Sequence, residues 1–268
     1  MGSTDKSAGP PDYRITGFEP ANAVTEDSYE LVASAAEDLA VVAAHHSANG
    51  RDTYLVLYDA TAIYGHPGAA AYVAVHVTRD LERRVFDFDH AHYPLVPLAQ
   101  NWLIERGCPL DAVRAFTDRG PQPADALTSR LEGLIRTNVG QRYLVLDHYT
   151  DHQSSSNAGA RTSTLVQDRH PLSAAHPYRV FLEEVTQDFE TYTVREGAFS
   201  SIEAADLWIA AVDLPLPPAP APVQGRRADA ARARTACANS SPSVPSDATK
   251  TGDRVGRTPA SATRRGPR

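Results

Sequence analysis

Lysine is almost missing from this chain. It stands only at Lys6 and Lys250, so arginine carries nearly all of the 26 positive charges. That bias fits the coding of a GC-rich bacterial genome, and it removes arginine abundance as an argument for nucleic-acid recognition. Cysteine is equally scarce. Cys108 and Cys237 are the two in 268 residues, and their surroundings differ so much that a disulfide framework is excluded. No apolar run approaches the roughly 18–20 residues that cross a bilayer as a helix. Residues 1–11 are small and polar, without the apolar centre of a secretory signal. The expectation is a soluble, cytoplasmic protein with no membrane association.

Aromatic residues run out as well. The last is Trp208, and from Pro215 to Arg268 there are ten Arg or Lys, three Asp, nine Pro and no Phe, Tyr or Trp. Such a segment cannot bury enough apolar surface to offset its chain entropy. The sequence therefore predicts a disordered N-terminus over 1–11, a globular body over 12–214 and a disordered basic tail over 215–268. The chain before the break holds 16 basic and 30 acidic residues. So acidic a body repels nucleic acid at long range, and only the tail has the charge to touch it.

Apolar periodicity fills the body with both helices and strands. Ser34-Ala35-Ala36-Glu37 has the spacing of a capping box and predicts a helix running to about His46, stopped by Asn49-Gly50. Thr53 to Asp59, Tyr143 to Tyr149 and Tyr178 to Val185 read as strands. Tyr72 to Thr78 and Arg84 to Phe88 read as an antiparallel pair. Leu127, Leu131, Leu134 and Ile135 share one helical face, and Ser200 to Glu203 opens a last helix. The mixture predicts an α+β fold: mixed, largely antiparallel sheets packed by four to five helices. Tyr-Leu-Val-Leu occurs at 54–57 and 143–146, and Ser-x-x-Glu at 34 and 200. The spacings disagree between the two pairs, which points to chance more than to a duplication into two lobes.

Three groups of residues could carry chemistry. His76-Val77-Thr78 and His148-Tyr149-Thr150 each close an apolar strand, where residues two apart share a face. Neighbouring strands of this kind would flank one phosphorus with two imidazoles, a base and an acid, while the hydroxyls hold phosphoryl oxygens. The pair resembles the two His-x-Thr/Ser motifs of the 2H phosphoesterases. That resemblance implies His76 and His148 as catalytic groups, with Thr78 and Thr150 binding phosphate and no metal. The second group is Asp87, Asp89, His90 and His92, whose side chains suit zinc, iron or manganese. The third, Asp147, His148, Asp151 and His152, has the same ligand chemistry on a strand followed by a serine-rich loop.

Each motif is short, and none has the specificity that defines an enzyme. The reading that follows is a non-catalytic binding or accessory protein that needs no cofactor. A metal-free phosphoesterase acting on a cyclic or strained phosphodiester is the alternative, and an Asp/His metal-site protein the second.

Overall fold

Two antiparallel meanders, each preceded and followed by a helix, account for the body. In the computed structural model the described residues are 10–62, 68–114, 121–138, 142–151, 158–211 and 215–218. The chain divides into units 1–220 and 221–268, and every described residue lies in the first. Residues 1–9 and nearly all of the predicted basic tail lie outside the described residues. The body reaches past Leu214: Leu216 packs into the core and Pro218 bridges to Gly197. At the other end Pro11 is already buried.

The first lobe runs β1 (Glu19–Pro20), α1 (Ala23–Ala33), β2 (Leu39–His46), β3 (Asp52–Asp59), β4 (Tyr72–Asp80), β5 (Val85–Tyr93) and α2 (Val96–Glu105). A short helix α3 (Leu110–Arg114) links it to the second lobe. That lobe runs β6 (Gln122–Pro123), α4 (Ala126–Arg136), β7 (Tyr143–Asp151), β8 (Ala158–Asp168), β9 (Tyr178–Thr186), β10 (Thr191–Phe199) and α5 (Ile202–Ala210). The two five-stranded sheets have orders β1-β5-β4-β3-β2 and β6-β10-β9-β8-β7. In each, a two-residue strand runs parallel to the last strand of the meander, and all other pairs are antiparallel. The fold class is α+β, as the periodicity predicts. Among the described residues no helix is long and apolar enough to cross a membrane.

The lobes are the same topology used twice, and the registers align them residue by residue. Glu19 pairs with Val85 as Gln122 pairs with Thr191. Even the irregularities match, with a bulge between Val41 and Ala43 in β2 and another between Val145 and Asp147 in β7. This alignment brings Glu-Pro-Ala-Asn-Ala-Val-Thr at 19–25 onto Gln-Pro-Ala-Asp-Ala-Leu-Thr at 122–128. The repeated segment has a physical task. Asn22 and Asp125 are the N-caps of α1 and α4, accepting from the amides of Thr25 and Thr128 at 3.0 and 2.8 Å. Both threonines are buried. The only two tryptophans of the chain, Trp102 and Trp208, stand the same distance beyond Tyr93 and Phe199. Each is buried beneath its own helix, as are Ala99 and Ala205 one turn earlier. The Tyr-Leu-Val-Leu pair, by contrast, falls on β3 and β7, which are not equivalent strands.

The predicted helix at 34–46 is a correction. Ser34 ends α1 instead of starting a helix: its amide donates to the carbonyl of Glu30 and its hydroxyl to that of Leu31. A serine hydroxyl can satisfy a preceding carbonyl as readily as a following amide. Residues 39–46 then pair with β3 through the Asn49-Gly50 turn, where Gly50 takes a φ of 72°. The pairing uses backbone groups that the local pattern leaves undecided.

Each sheet is covered on both faces. In the first lobe α1 and residues 13–18 cover one face, where Leu55, Leu57, Val75, Val77, Phe86 and Phe88 are buried. Helix α2 covers the other through Ala99, Trp102 and Leu103. The opposite side of α2 enters the second lobe: Leu95 and Leu98 pack with Leu131 and Ile135 of α4 and with Val166, Phe181 and Val194. Asn101 also donates to the carbonyls of Arg136 and Asn138, at 2.9 and 2.6 Å, closing the C-terminal end of α4. Helix α5 covers the far face of the second sheet with Ala205 and Trp208.

Trp102→Ala and Trp208→Ala are each expected to cost about 3–5 kcal/mol, the range for emptying a buried aromatic site. Because α2 serves both lobes, Trp102→Ala should also speed amide exchange in β8 and β9, whereas Trp208→Ala should leave β3 and β4 protected. Urea unfolding and hydrogen-exchange mass spectrometry check the two statements.

Candidate ligand site at the lobe junction

The two His-x-Thr tripeptides come to lie on different sheets, in the third strand of one meander and the first of the other. His76 stacks on Tyr54 with ring centroids 4.6 Å apart and planes at 4°. Its Nε2 meets Asp52 at 3.2 Å and the Thr78 hydroxyl at 3.3 Å. Both partners use the same ring nitrogen, so the imidazole cannot relay a proton between them. Burial lowers the His76 pKa, and the hydrogen bond to Asp52 opposes it. Thr150 meets the Thr162 hydroxyl at 3.1 Å. His76 and His148 thus do not stand on neighbouring strands, the arrangement from which the sequence reading pairs His76, Thr78, His148 and Thr150.

The metal candidates separate for a simpler reason. Along β5, Asp87 and Asp89 face one way and His90 and His92 the other. Thr25 donates to Asp87 at 3.3 Å, Arg106 pairs with Asp89 at 2.7 Å, and Ser28 meets His90 Nδ1 at 2.9 Å. Among the described residues no group of three or more His, Cys, Asp or Glu is placed to hold a metal ion. In the third group Asp147 accepts from the His148 amide at 2.8 Å, and His152 lies outside the described residues.

Two histidines from different groups do share a cavity. His92 of β5 and His148 of β7 line one cavity of about 460 Å³, together with Asp59, Thr61, Ala62, Ala69 and Ala70. The lobes approach closely beside it. Gly68, at a φ of 83°, lies so near Tyr149 that a Cβ there would stand 2.5 Å from the ring. Asp59 Oδ1 accepts from the amide and hydroxyl of Thr61 at 2.8 and 2.7 Å. His148 Nδ1 is buried without a hydrogen-bond partner. Burial lowers the His92 pKa, with Asp59 opposing.

Comparison of the lobes shows how unusual this neighbourhood is. Leu55, Val77 and Phe86 of the first lobe are buried at 1, 0 and 2% exposure, and Tyr29 packs against them. The equivalent residues of the second lobe are Thr164, Glu183, Tyr192 and Glu132, and Ala44 becomes His148. All of these lie on the α4 side of the second sheet or on α4 itself. An aromatic contact between Tyr29 and Phe86 is replaced by a hydrogen bond from the Tyr192 hydroxyl to Glu132. Thr164 Oγ1, like His148 Nδ1, is buried with no partner.

The carboxylates carry the largest electrostatic consequence. Burial pushes the Glu183 carboxyl up to about 8, and Glu132 beside it pushes the same way. Glu132 is also raised by burial, against the Tyr192 hydrogen bond and Arg136. Tyr72, from the first lobe, is raised by burial and by Glu183, Tyr58 and Glu132. None of the ion pairs among the described residues involves Glu132 or Glu183. Asp168 is the contrast on the same sheet. Burial alone would raise it, but Arg142, Ser173 and the His170 amide hold it at about 2. Arg142 reaches it at 2.6 Å and Arg179 at 3.2 Å. Asp168 is compensated and structural; Glu183 is not compensated.

Sequence reading had selected His92 and His148 but not the cavity they share, and it passed over Glu132, Glu183, Thr164 and Tyr192. The repeat at 19–25 and 122–128, extended through the tryptophans, was the available signal. Aligned on it, the second copy puts acids and hydroxyls where the first has core residues.

Glu183 sets the direction of one pH dependence. A raised carboxyl pKa means that the folded chain retains a proton the unfolded chain gives up. The contribution of Glu183 to stability is thus complete below its ordinary value and is lost as pH rises to about 8. Glu183→Gln is expected to be more stable than the parent near pH 8, with the gap closing near pH 5. Urea midpoints of both proteins at the two pH values measure it; a gap that does not change with pH would contradict the assignment.

Comparison with known proteins finds no matching family model, curated protein or solved structure.

Proposed function

We propose that this chain is a non-catalytic binding protein, in which the first lobe is scaffold and the second lobe holds a small ligand at the junction. One observation carries the reading: both lobes line one cavity, and the second lobe enters it with His148, on the sheet face where buried apolar positions of the first lobe become polar. Buried polar atoms without partners cost stability and are rare in native interiors. The cavity volume falls in the range of small-molecule sites, about 300–1,000 Å³.

The cavity groups favour holding over reacting. The Thr61 hydroxyl donates to the Asp59 carboxylate at 2.7 Å within one turn. Among the described residues no hydrogen bond joins Asp59 to His92 or His148. A base held in turn by a third group, as in the usual arrangement for covalent catalysis, is not among the described hydrogen bonds of these residues, and this supports the binding reading.

A fragment library followed by amide chemical shifts tests the proposal. Binding should move the resonances of Ala69, Ala70, His92 and His148, and His148→Phe, which fills the cavity, should abolish those shifts. Fragments that bind only elsewhere would overturn the reading. So would turnover of a cyclic nucleotide that is lost in His148→Ala.

A further inference from the structure

We infer that the junction cavity takes a small organic cation, an amine or a guanidine; the inference rests on the ligand-binding reading above. Among the described lining residues Asp59 is the one acidic side chain, and none is arginine or lysine. An anionic ligand would thus meet a carboxylate with no cation to offset it. Beyond the cavity the field has the same sign. The chain before Pro215 has 30 acidic against 16 basic residues. A low-dielectric wall around one charge strengthens its attraction for an opposite charge.

The remaining lining groups agree. One oxygen of Asp59 is engaged by Thr61, and the described hydrogen bonds leave the other available as an acceptor. Ala62, Ala69 and Ala70 offer short apolar walls against which an alkyl chain can lie. Asp59, His92 and His148 line the space without forming a set that could hold a metal. A polyatomic ligand can span groups that a single ion cannot.

Agmatine, with an amine at one end and a guanidine at the other, is a suitable probe. Glutarate, of comparable length and opposite charge, is its control. The full chain is titrated with each at low ionic strength, by calorimetry and by amide shifts. Agmatine should bind and glutarate should not. Asp59→Asn retains the acceptor that holds Thr61, and it should weaken agmatine about threefold or more, as loss of a partly solvated charge pair does. Agmatine binding unchanged by Asp59→Asn, or glutarate binding as tightly, would overturn the inference. Fragments that bind the cavity while agmatine does not would refute the cation alone; no cavity binding by any compound would refute the ligand-binding reading with it.

Discussion

A single helix with two apolar sides holds the architecture together. Helix α2 lays Ala99, Trp102 and Leu103 on the first sheet and sends Leu95 and Leu98 into the core of the second lobe. Its polar residue Asn101 closes the C-terminal end of α4. Were α2 amphipathic in the ordinary sense, with one face to solvent, the lobes would be two beads on a string. Because it is apolar on two sides, the junction is built as a core. Its counterpart α5 shows the alternative: it covers one sheet, and Leu207, the equivalent of Asn101, is 73% exposed.

Duplication gives the chain an internal control. Two copies of one topology, with the same N-caps, bulges and tryptophans, face different demands. The first copy keeps an apolar interior against α1, the arrangement that stabilises by burial alone. The second exchanges several of those positions for acids and hydroxyls. Asp168 and its arginines show that this lobe can compensate a buried charge fully. Glu183 is left without such a partner, and the difference between the two carboxyls separates structural polarity from polarity with another use. Physical economy would favour Val77-like residues at 183.

Much of the fold was legible because it is written locally. The stripe Leu127, Leu131, Leu134 and Ile135 defines α4 whatever surrounds it, and the alternation in β3, β9 and the β4–β5 pair defines strands. Residues 23–46 were not legible in the same way. The run Leu39 to His46 mixes alanine with valine and fits either period, and Ser34 bonds backward to Leu31 when a helix precedes it. Which period wins depends on β3 arriving as a partner. The site was half legible: His92 and His148 stand out as residue types, but Glu132 and Glu183 look like ordinary surface acids in a chain with 33 of them.

Composition and periodicity alone determined the α+β class, most element positions and the acidic character of the body, since each depends on residues near one another in the chain. Packing decided which histidines meet. His92 and His148 lie on different sheets, and the cavity between them exists only once α2 has locked one lobe against the other. Charge compensation was likewise settled in three dimensions, because a carboxylate's environment is made of atoms brought from elsewhere in the chain.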